Sequence, residues 1–440
     1  MIPCDLLIHS AAQALTLTSG HHRAIPQRGL ALGELRVLAD GAVAIRGDRI
    51  LAVGPSPVMR RAYQARTTLD AAGRVIMPGF VDPHTHAVWM GDRANEFAQR
   101  IAGQTYLDIM QAGGGIMSTV RQTRAASVDQ LVEAARPRLK RMLAHGTTTI
   151  EIKTGYGLDL AAELRMLKAI ERLNAEGPWL LHPTFLGAHA IPAEYAGRAD
   201  DYVEVVVHEM LPAVWEWWLG ARPKPTAPEP IFVAHRPPPI FCDVFCEAGA
   251  FTVAQSRRIL ERAKELGFGL KIHADEFVGL GGTQLAVELG ARSADHLVYT
   301  PEADIAALGA GETVAVALPG TPFGLAQKDY TPAQQLLQAN GILALASDLN
   351  PGTSWCESMQ MVIALACRYL RLTPAQAIVA ATLNAAHAIK YAYEVGTLES
   401  GKRADVLILN VPDYNHLGYR YGTNLVQTVI AGGQVAPIEK

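Results

Sequence analysis

His84 and His86 stand two residues apart at the end of the apolar run 75–81. On a strand, residues i and i+2 project to one face, so the two imidazoles lie side by side and supply half the donors a divalent transition metal takes. Three more histidines end apolar runs in the same way: His189 after 179–186, His273 after 270–272, and His296 after 291–294. Two carboxylates accompany them, Glu276 just beyond His273 and Asp348 beyond the run 342–346. A lone strand-end histidine is more often a hydrogen-bonded structural residue than a ligand, but five of them point to a metal. Three neutral imidazoles and one carboxylate leave a divalent ion with net positive charge, which lowers the pKa of a water it binds to about 7. His84, His86, His273 and Asp348 are read as that ligand set, and zinc and ferrous iron both suit nitrogen and oxygen donors. Asp348 is also suited to accept the nucleophile's proton and pass it to a leaving nitrogen. Glu276 is placed to reach a substrate nitrogen or the water, and His296 to donate to a developing oxyanion. Their plainer alternatives are a solvated loop carboxylate and a histidine that orients a ligand.

Ligands so far apart in sequence need a scaffold that gathers strand ends. Eight apolar runs, at 75–81, 147–152, 179–186, 241–245, 270–272, 291–294, 314–318 and 342–346, each lead into a small polar cluster. Helical patterns separate most of them; in 161–174, Leu164, Leu167, Ala169, Ile170 and Leu173 are spaced for one buried face. Strands alternating with helices give a parallel sheet, and eight repeats predict a TIM-like (β/α)8 barrel of the α/β class with its chemistry at the C-terminal mouth. An open doubly wound sheet would instead split the clusters between two crevices.

The flanks have a different rhythm. Short strand-like segments at 4–9, 41–46 and 49–53 precede the barrel, and similar ones at 396–398, 404–409 and 425–435 follow it. The expected organisation is a barrel over 75–392 and one small β-sandwich built from 1–74 and 393–440. Within the barrel, 215–239 carries Trp215, Trp217 and Trp218 and then seven prolines. Proline at that density excludes regular helix and central strand, so this stretch reads as an inserted surface excursion.

Composition narrows the function classes. The 440 residues are 49% hydrophobic and only 18% charged, which suits a large buried core. Net charge is −3 with no basic block, which argues against nucleic acid as a partner. The five cysteines form neither a disulfide framework nor paired zinc spacings, so Cys242 and Cys246 read as core thiols. No apolar run is long enough to span a membrane, and the reducing cytoplasm is the expected compartment.

The chain resembles the amidohydrolase superfamily in its His-x-His on strand one, His on strands five and six, and Asp on strand eight. More narrowly it is similar to the imidazolonepropionase family. The matching segments are Pro78-Gly79-Phe80-Val81-Asp82-Pro83-His84-Thr85-His86, Gly91-Asp92-Arg93-Ala94-Asn95-Glu96-Phe97, Ala112-Gly113-Gly114-Gly115-Ile116, Glu151-Ile152-Lys153-Thr154-Gly155-Tyr156-Gly157, Thr184-Phe185-Leu186-Gly187-Ala188-His189-Ala190, His273-Ala274-Asp275-Glu276, Ser293-Ala294-Asp295-His296-Leu297 and Asp348-Leu349-Asn350-Pro351-Gly352-Thr353. His-x-His identifies only the superfamily, whereas the Arg93 and Tyr156 segments together are far more specific. The resemblance implies hydrolytic opening of the cyclic amide of 4-imidazolone-5-propanoate to N-formimidoyl-L-glutamate, a step of histidine degradation. It also implies that Arg93 binds the propionate through its forked donors, that Tyr106 and Tyr156 hydrogen-bond the tail, and that His189 meets the ring. Asn350, Gly352 and Thr353 would receive substrate or product, and a homodimer is expected. One ion per chain is expected too, because no lysine ends strand four. A deaminase of a cyclic amidine remains the rival, since His-x-x-Glu on strand five also serves enzymes that protonate a leaving amine; ammonia release separates the two. A non-catalytic binding protein would lack the metal.

Overall fold

The computed structural model describes residues 1–18, 25–104, 114–221 and 240–437. Five strands precede the barrel: β1 (Ile2–Leu15), β2 (Val37–Arg46), β3 (Arg49–Pro55), β4 (Tyr63–Asp70) and β5 (Val75–Pro78). Eight more, β6 (Phe80–Asp82), β7 (Thr147–Lys153), β8 (Leu180–Ala188), β9 (Phe241–Cys246), β10 (Gly269–Ala274), β11 (Ser293–His296), β12 (Val314–Ala317) and β13 (Ile342–Leu345), pair in sequence order as a parallel sheet. Nearly every residue in them is buried, as expected where helices cover one face and the barrel interior the other. The ends of this sheet meet just past β6 and β13: His86 N–H donates to Leu349 C=O (2.8 Å) and Asp348 N–H to His84 C=O (3.1 Å). Below that point Asp82 stands in for the missing ladder, accepting from the Ser347 N–H (3.1 Å) and hydroxyl (2.5 Å). Closure of the barrel thus also brings Asp348 beside His84 and His86.

The helices between strands follow local rules. In Val253–Leu266, Thr252 and Gln255 form a reciprocal capping box, Ser256, Ile259, Leu260 and Ala263 form the buried face, and Gly267 ends the helix at φ 106°. Removing such a cap costs about 1 kcal/mol.

The apolar run 75–81 is two strands, not one. Val75–Pro78 joins the terminal sheet, while Phe80–Asp82 opens the barrel, and Gly79 turns between them. A Cβ there would fall 2.2 Å from Thr148 Oγ1, so only glycine allows the close passage over β7. The C-terminal strands β14 (Val406–Leu409), β15 (Val426–Ala431) and β16 (Gln434–Val435) complete a mixed eight-stranded sheet with β1 to β5. Its far edge turns back on the C-terminal segment, since Ile50 N–H donates to Lys402 C=O (2.9 Å) and Gly401 N–H to Ile50 C=O (2.8 Å). Ile8, Val43, Ile45, Ile76, Val406 and Ile430 share the core on the sheet's inner face.

Trp215, Trp217 and Trp218 do not lie in an irregular excursion. They belong to the helix Leu211–Ala221, because the proline run begins only after it, and Trp215 packs on Phe268 with ring centroids 5.1 Å apart. Residues 222–239, with those prolines, lie outside the described residues. All five cysteines are free, and Cys4, Cys242 and Cys246 are buried. Among the described residues no helix is long and apolar enough to cross a membrane.

Candidate metal centre and active site

Nitrogen and oxygen donors from four barrel strands converge at the mouth. His84, His86 and His273 form one group whose donor atoms all lie within 4.8 Å of one another, and His84, His296 and Asp348 form a second, overlapping one. Asp348 Oδ1 is 3.5 Å from His84 Nε2 and 3.6 Å from His86 Nε2. All five side chains are buried. His84 Nε2, His86 Nδ1 and His273 Nε2 find no hydrogen-bond partner in the protein, an expensive arrangement unless something else occupies them. Burial, reinforced by neighbouring cationic groups, holds His84, His86 and His296 well below the usual histidine range, so their lone pairs are free to bind a cation. The donor chemistry fits a divalent transition metal.

Left-handed backbone at the strand ends aims these groups. Asp348 has φ 51°, His296 φ 81° and Asp275, between His273 and Glu276, φ 54°. Each such residue costs on the order of 1 kcal/mol or more and persists because its surroundings hold it. Asp275 shows how: its carboxylate accepts from the hydroxyls of Thr283 (2.6 Å) and Thr300 (3.0 Å).

Beneath the imidazoles lies a buried charge layer that sequence reasoning missed. Asp295 Oδ2 accepts from His84 Nδ1 at 2.6 Å, and Asp243 Oδ2 lies 3.1 Å from His273 Nδ1. Lys153 Nζ sits between them, 2.7 Å from Asp243 Oδ2 and 3.6 Å from Asp295 Oδ2, with Glu151 Oε1 at 2.9 Å. Lys271 Nζ is 3.6 Å from Asp295 and donates to Pro83 C=O at 3.0 Å. Burial works against the Lys153 charge, but Asp243, Glu151 and Asp295 outweigh it and raise its pKa above the ordinary lysine value. The available signal was charge at inward positions of otherwise apolar strands: Glu151 and Lys153 on β7, Asp243 on β9, Lys271 on β10 and Asp295 on β11.

Glu276 and His296 face each other, with Oε2 and Nε2 3.6 Å apart. Burial, helped by Asp348 and Glu247, pushes the Glu276 carboxyl well above its usual range. Thr321, from the cluster after β12, donates its hydroxyl to Asp348 Oδ2 at 2.5 Å, a contact not anticipated. Burial raises Asp348 to about 6 despite that bond. His189 stacks on His86 at 5.0 Å between centroids and lies 5.3 Å from Tyr156; burial lowers it to about 3. The loop carrying Tyr156 is pinned by buried Glu163, which accepts from the backbone N–H groups of Gly155, Gly157 and Leu158.

Past Asp348, Asn350 Oδ1 accepts from the N–H groups of Gly352 and Thr353, each at 2.8 Å, and its Nδ2 donates to Thr353 Oγ1 at 2.9 Å. Arg93 reaches this loop. Its Nε donates to Glu96 at 2.7 Å, and a Cβ added to Gly352 would fall 2.4 Å from Arg93 Nη1. Arg93, Phe97, Arg100, Gly352 and Trp355 line a shared pocket. Tyr106 lies outside the described residues.

Known proteins agree with this architecture. The Amidohydrolase family profile matches residues 75–436, and that of an imidazolonepropionase-like composite domain of bacteria matches 41–63. The imidazolonepropionase of Herpetosiphon aurantiacus is 56% identical over 93% of each chain, and that of Chloroflexus aggregans 50% identical over 99% of each. Among solved structures, Escherichia coli guanine deaminase superposes with a TM-score of 0.71 at 14% identity, covering 99% of this chain and 100% of that one. A zinc-bound adenosine deaminase from Xanthomonas campestris gives 0.66 at 20% identity, over 99% and 93% respectively. Likeness at that identity carries the fold and no more, whereas full-length identity to the two bacterial enzymes carries the family: the chain belongs to the imidazolonepropionases, within the amidohydrolase family.

Proposed function

We propose that this chain hydrolyses the ring amide of 4-imidazolone-5-propanoate to N-formimidoyl-L-glutamate, with one zinc or ferrous ion held by His84, His86, His273 and Asp348. The observation that carries the reading is the meeting of partnerless imidazole nitrogens with Asp348 at one end of the barrel, in a chain of this family. When bound, the ion supplies a water that ionises near neutral pH and draws electron density from the ring carbonyl. Everything else is the work of side chains. Asp348, its Oδ2 fixed by Thr321, takes a proton from the attacking water. As the bond between carbonyl carbon and ring nitrogen breaks, the same carboxyl returns that proton to the nitrogen. Burial favours the protonated form of Glu276, which donates a hydrogen bond to the ring, and His296 donates to the carbonyl oxygen as negative charge develops there. Arg93 and Tyr156 hold the propionate, His189 borders the ring, and Asn350 fixes the backbone N–H groups of Gly352 and Thr353 at the edge of the site.

Freshly prepared imidazolonepropanoate tests the reaction directly. Ring absorbance is expected to fall without ammonia release, to stop falling after treatment with a chelator, and to resume on adding zinc or ferrous ion. Ammonia release would instead establish the deaminase reading. Elemental analysis is expected to give one ion per chain, and two tightly bound ions would contradict the ligand set. For Glu276→Leu, which is close in size but cannot donate a hydrogen bond to the ring, kcat is expected to fall by about 10²-fold with KM within a few-fold. Unchanged kcat in that variant would reduce Glu276 to a wall of the site.

A further inference from the structure

We infer that Lys153 is a positioning residue for the metal site: through Asp243 and Asp295 it orients His273 and His84, two neighbouring imidazoles whose ring centroids lie 4.4 Å apart. The inference rests on the reading of those histidines as ligands and goes beyond it, since Lys153 itself touches neither ion nor substrate.

The geometry is that of a bridge. One ammonium, fully buried, lies within 2.7 and 3.6 Å of two fully buried carboxylates, and each of these faces the Nδ1 side of a different imidazole. A histidine whose Nδ1–H is engaged by a carboxylate presents its Nε2 lone pair outward in a fixed direction. His84 Nε2 is left without a protein partner while its Nδ1 is hydrogen-bonded to Asp295; at His273 both ring nitrogens lack a hydrogen-bond partner, and Asp243 Oδ2 approaches Nδ1 at 3.1 Å as an ion-pair contact. Two carboxylates this close in a low-dielectric interior repel each other, and the cation between them holds both in place. Lysine suits the position because three donors on one small head can serve Asp243, Asp295 and Glu151 together.

Charge balance supports the same account. Lys153 and Lys271 face Glu151, Asp243 and Asp295, so the layer carries one excess negative charge. Position also fits: Lys153 and Glu151 are i and i+2 on β7, hence on the same inward face.

Zinc affinity of the full chain, stripped and reloaded with Zn2+ alone, provides the test, read by competition with a chromophoric chelator. Lys153→Met is expected to weaken zinc binding by about 10- to 100-fold, the range found when a group supporting a ligand is lost. Lys153→Arg, which keeps the charge, is expected to recover most of that loss; an arginine variant no better than methionine would mean that Lys153 supplies packing only and would overturn the inference. His84→Ala serves as the control on the ligand reading and is expected to lose the ion. Native affinity in Lys153→Met alongside loss in His84→Ala overturns the positioning role alone, whereas native affinity in His84→Ala overturns the ligand set and the inference with it. If either Lys153 variant does not fold, the near-isosteric Asp243→Asn and Asp295→Asn decide: each is expected to weaken zinc binding about tenfold or more, and native affinity in either sinks the bridge.

Discussion

Asp348→Asn is expected to lower kcat for imidazolonepropanoate by about 10³-fold or more, the upper part of the range for removing a proton-transfer group. Two losses combine in this one change. The amide cannot accept a proton from water, and it removes the anionic donor that lies 3.5 Å from His84 Nε2 and 3.6 Å from His86 Nε2. The fold should tolerate it, because the backbone N–H of residue 348 still bonds His84 C=O and the Thr321 hydroxyl still finds an oxygen. Steady-state rate, metal content and thermal midpoint should be measured together on one preparation. Bound metal retained with the rate abolished assigns proton transfer to the carboxylate; metal lost with it assigns ligation as the larger share. A rate within tenfold of native, with the ion bound, would remove Asp348 from the mechanism.

Thr321→Val divides the Asp348 contribution further. It removes the hydroxyl that holds Oδ2 at 2.5 Å and leaves shape nearly intact, so kcat should fall by about tenfold with metal content unchanged. A larger loss accompanied by metal release would mean that the threonine fixes the ligand geometry itself.

What the sequence disclosed and what it hid have physical reasons. The barrel strands are legible because both faces are buried, which writes each as an apolar run, and because the mouth writes its chemistry as a polar cluster at the run's end. His84, His86, His273, His296 and Asp348 occupy those ends, so the side chains that meet in space are flagged one by one in the chain. Lys153 was also in view, yet its partners were not, since Asp243 and Asp295 come from β9 and β11 and only the folded barrel sets all three on one level. Thr321 sat in a recognised cluster with no feature to single out its hydroxyl. The division of the run 75–81 was signalled by Pro78-Gly79, but apolar continuity masks a change of sheet when both sheets bury the segment. The tryptophan helix shows the converse error: proline density after Ala221 says nothing about the residues before it.

Arg93→Ala is expected to raise KM for imidazolonepropanoate by about 30-fold, the equivalent of about 2 kcal/mol for a charge-assisted contact, with kcat within a few-fold of native. The tail does not change charge or bonding during ring opening, so its binding energy is the same in ground and transition states and shows in KM. The Arg93 guanidinium is held in place by its neighbours. Glu96 engages Nε on one side and in turn accepts from the Gly115 N–H at 3.0 Å, leaving the Nη groups to reach the pocket beside Gly352. Metal content should be native, because Arg93 belongs to neither donor group. Gly352→Ala supplies an independent check on the same guanidinium, since the added methyl would lie 2.4 Å from Nη1 and must displace it. Its KM should rise in the same direction, by less, because the arginine keeps its charge and can shift. A substrate analogue without the carboxylate separates tail recognition from general damage: it should bind native and Arg93→Ala protein equally well. If Arg93→Ala turns over imidazolonepropanoate with native KM, the propionate is held elsewhere, and Arg100 in the same pocket becomes the residue to replace.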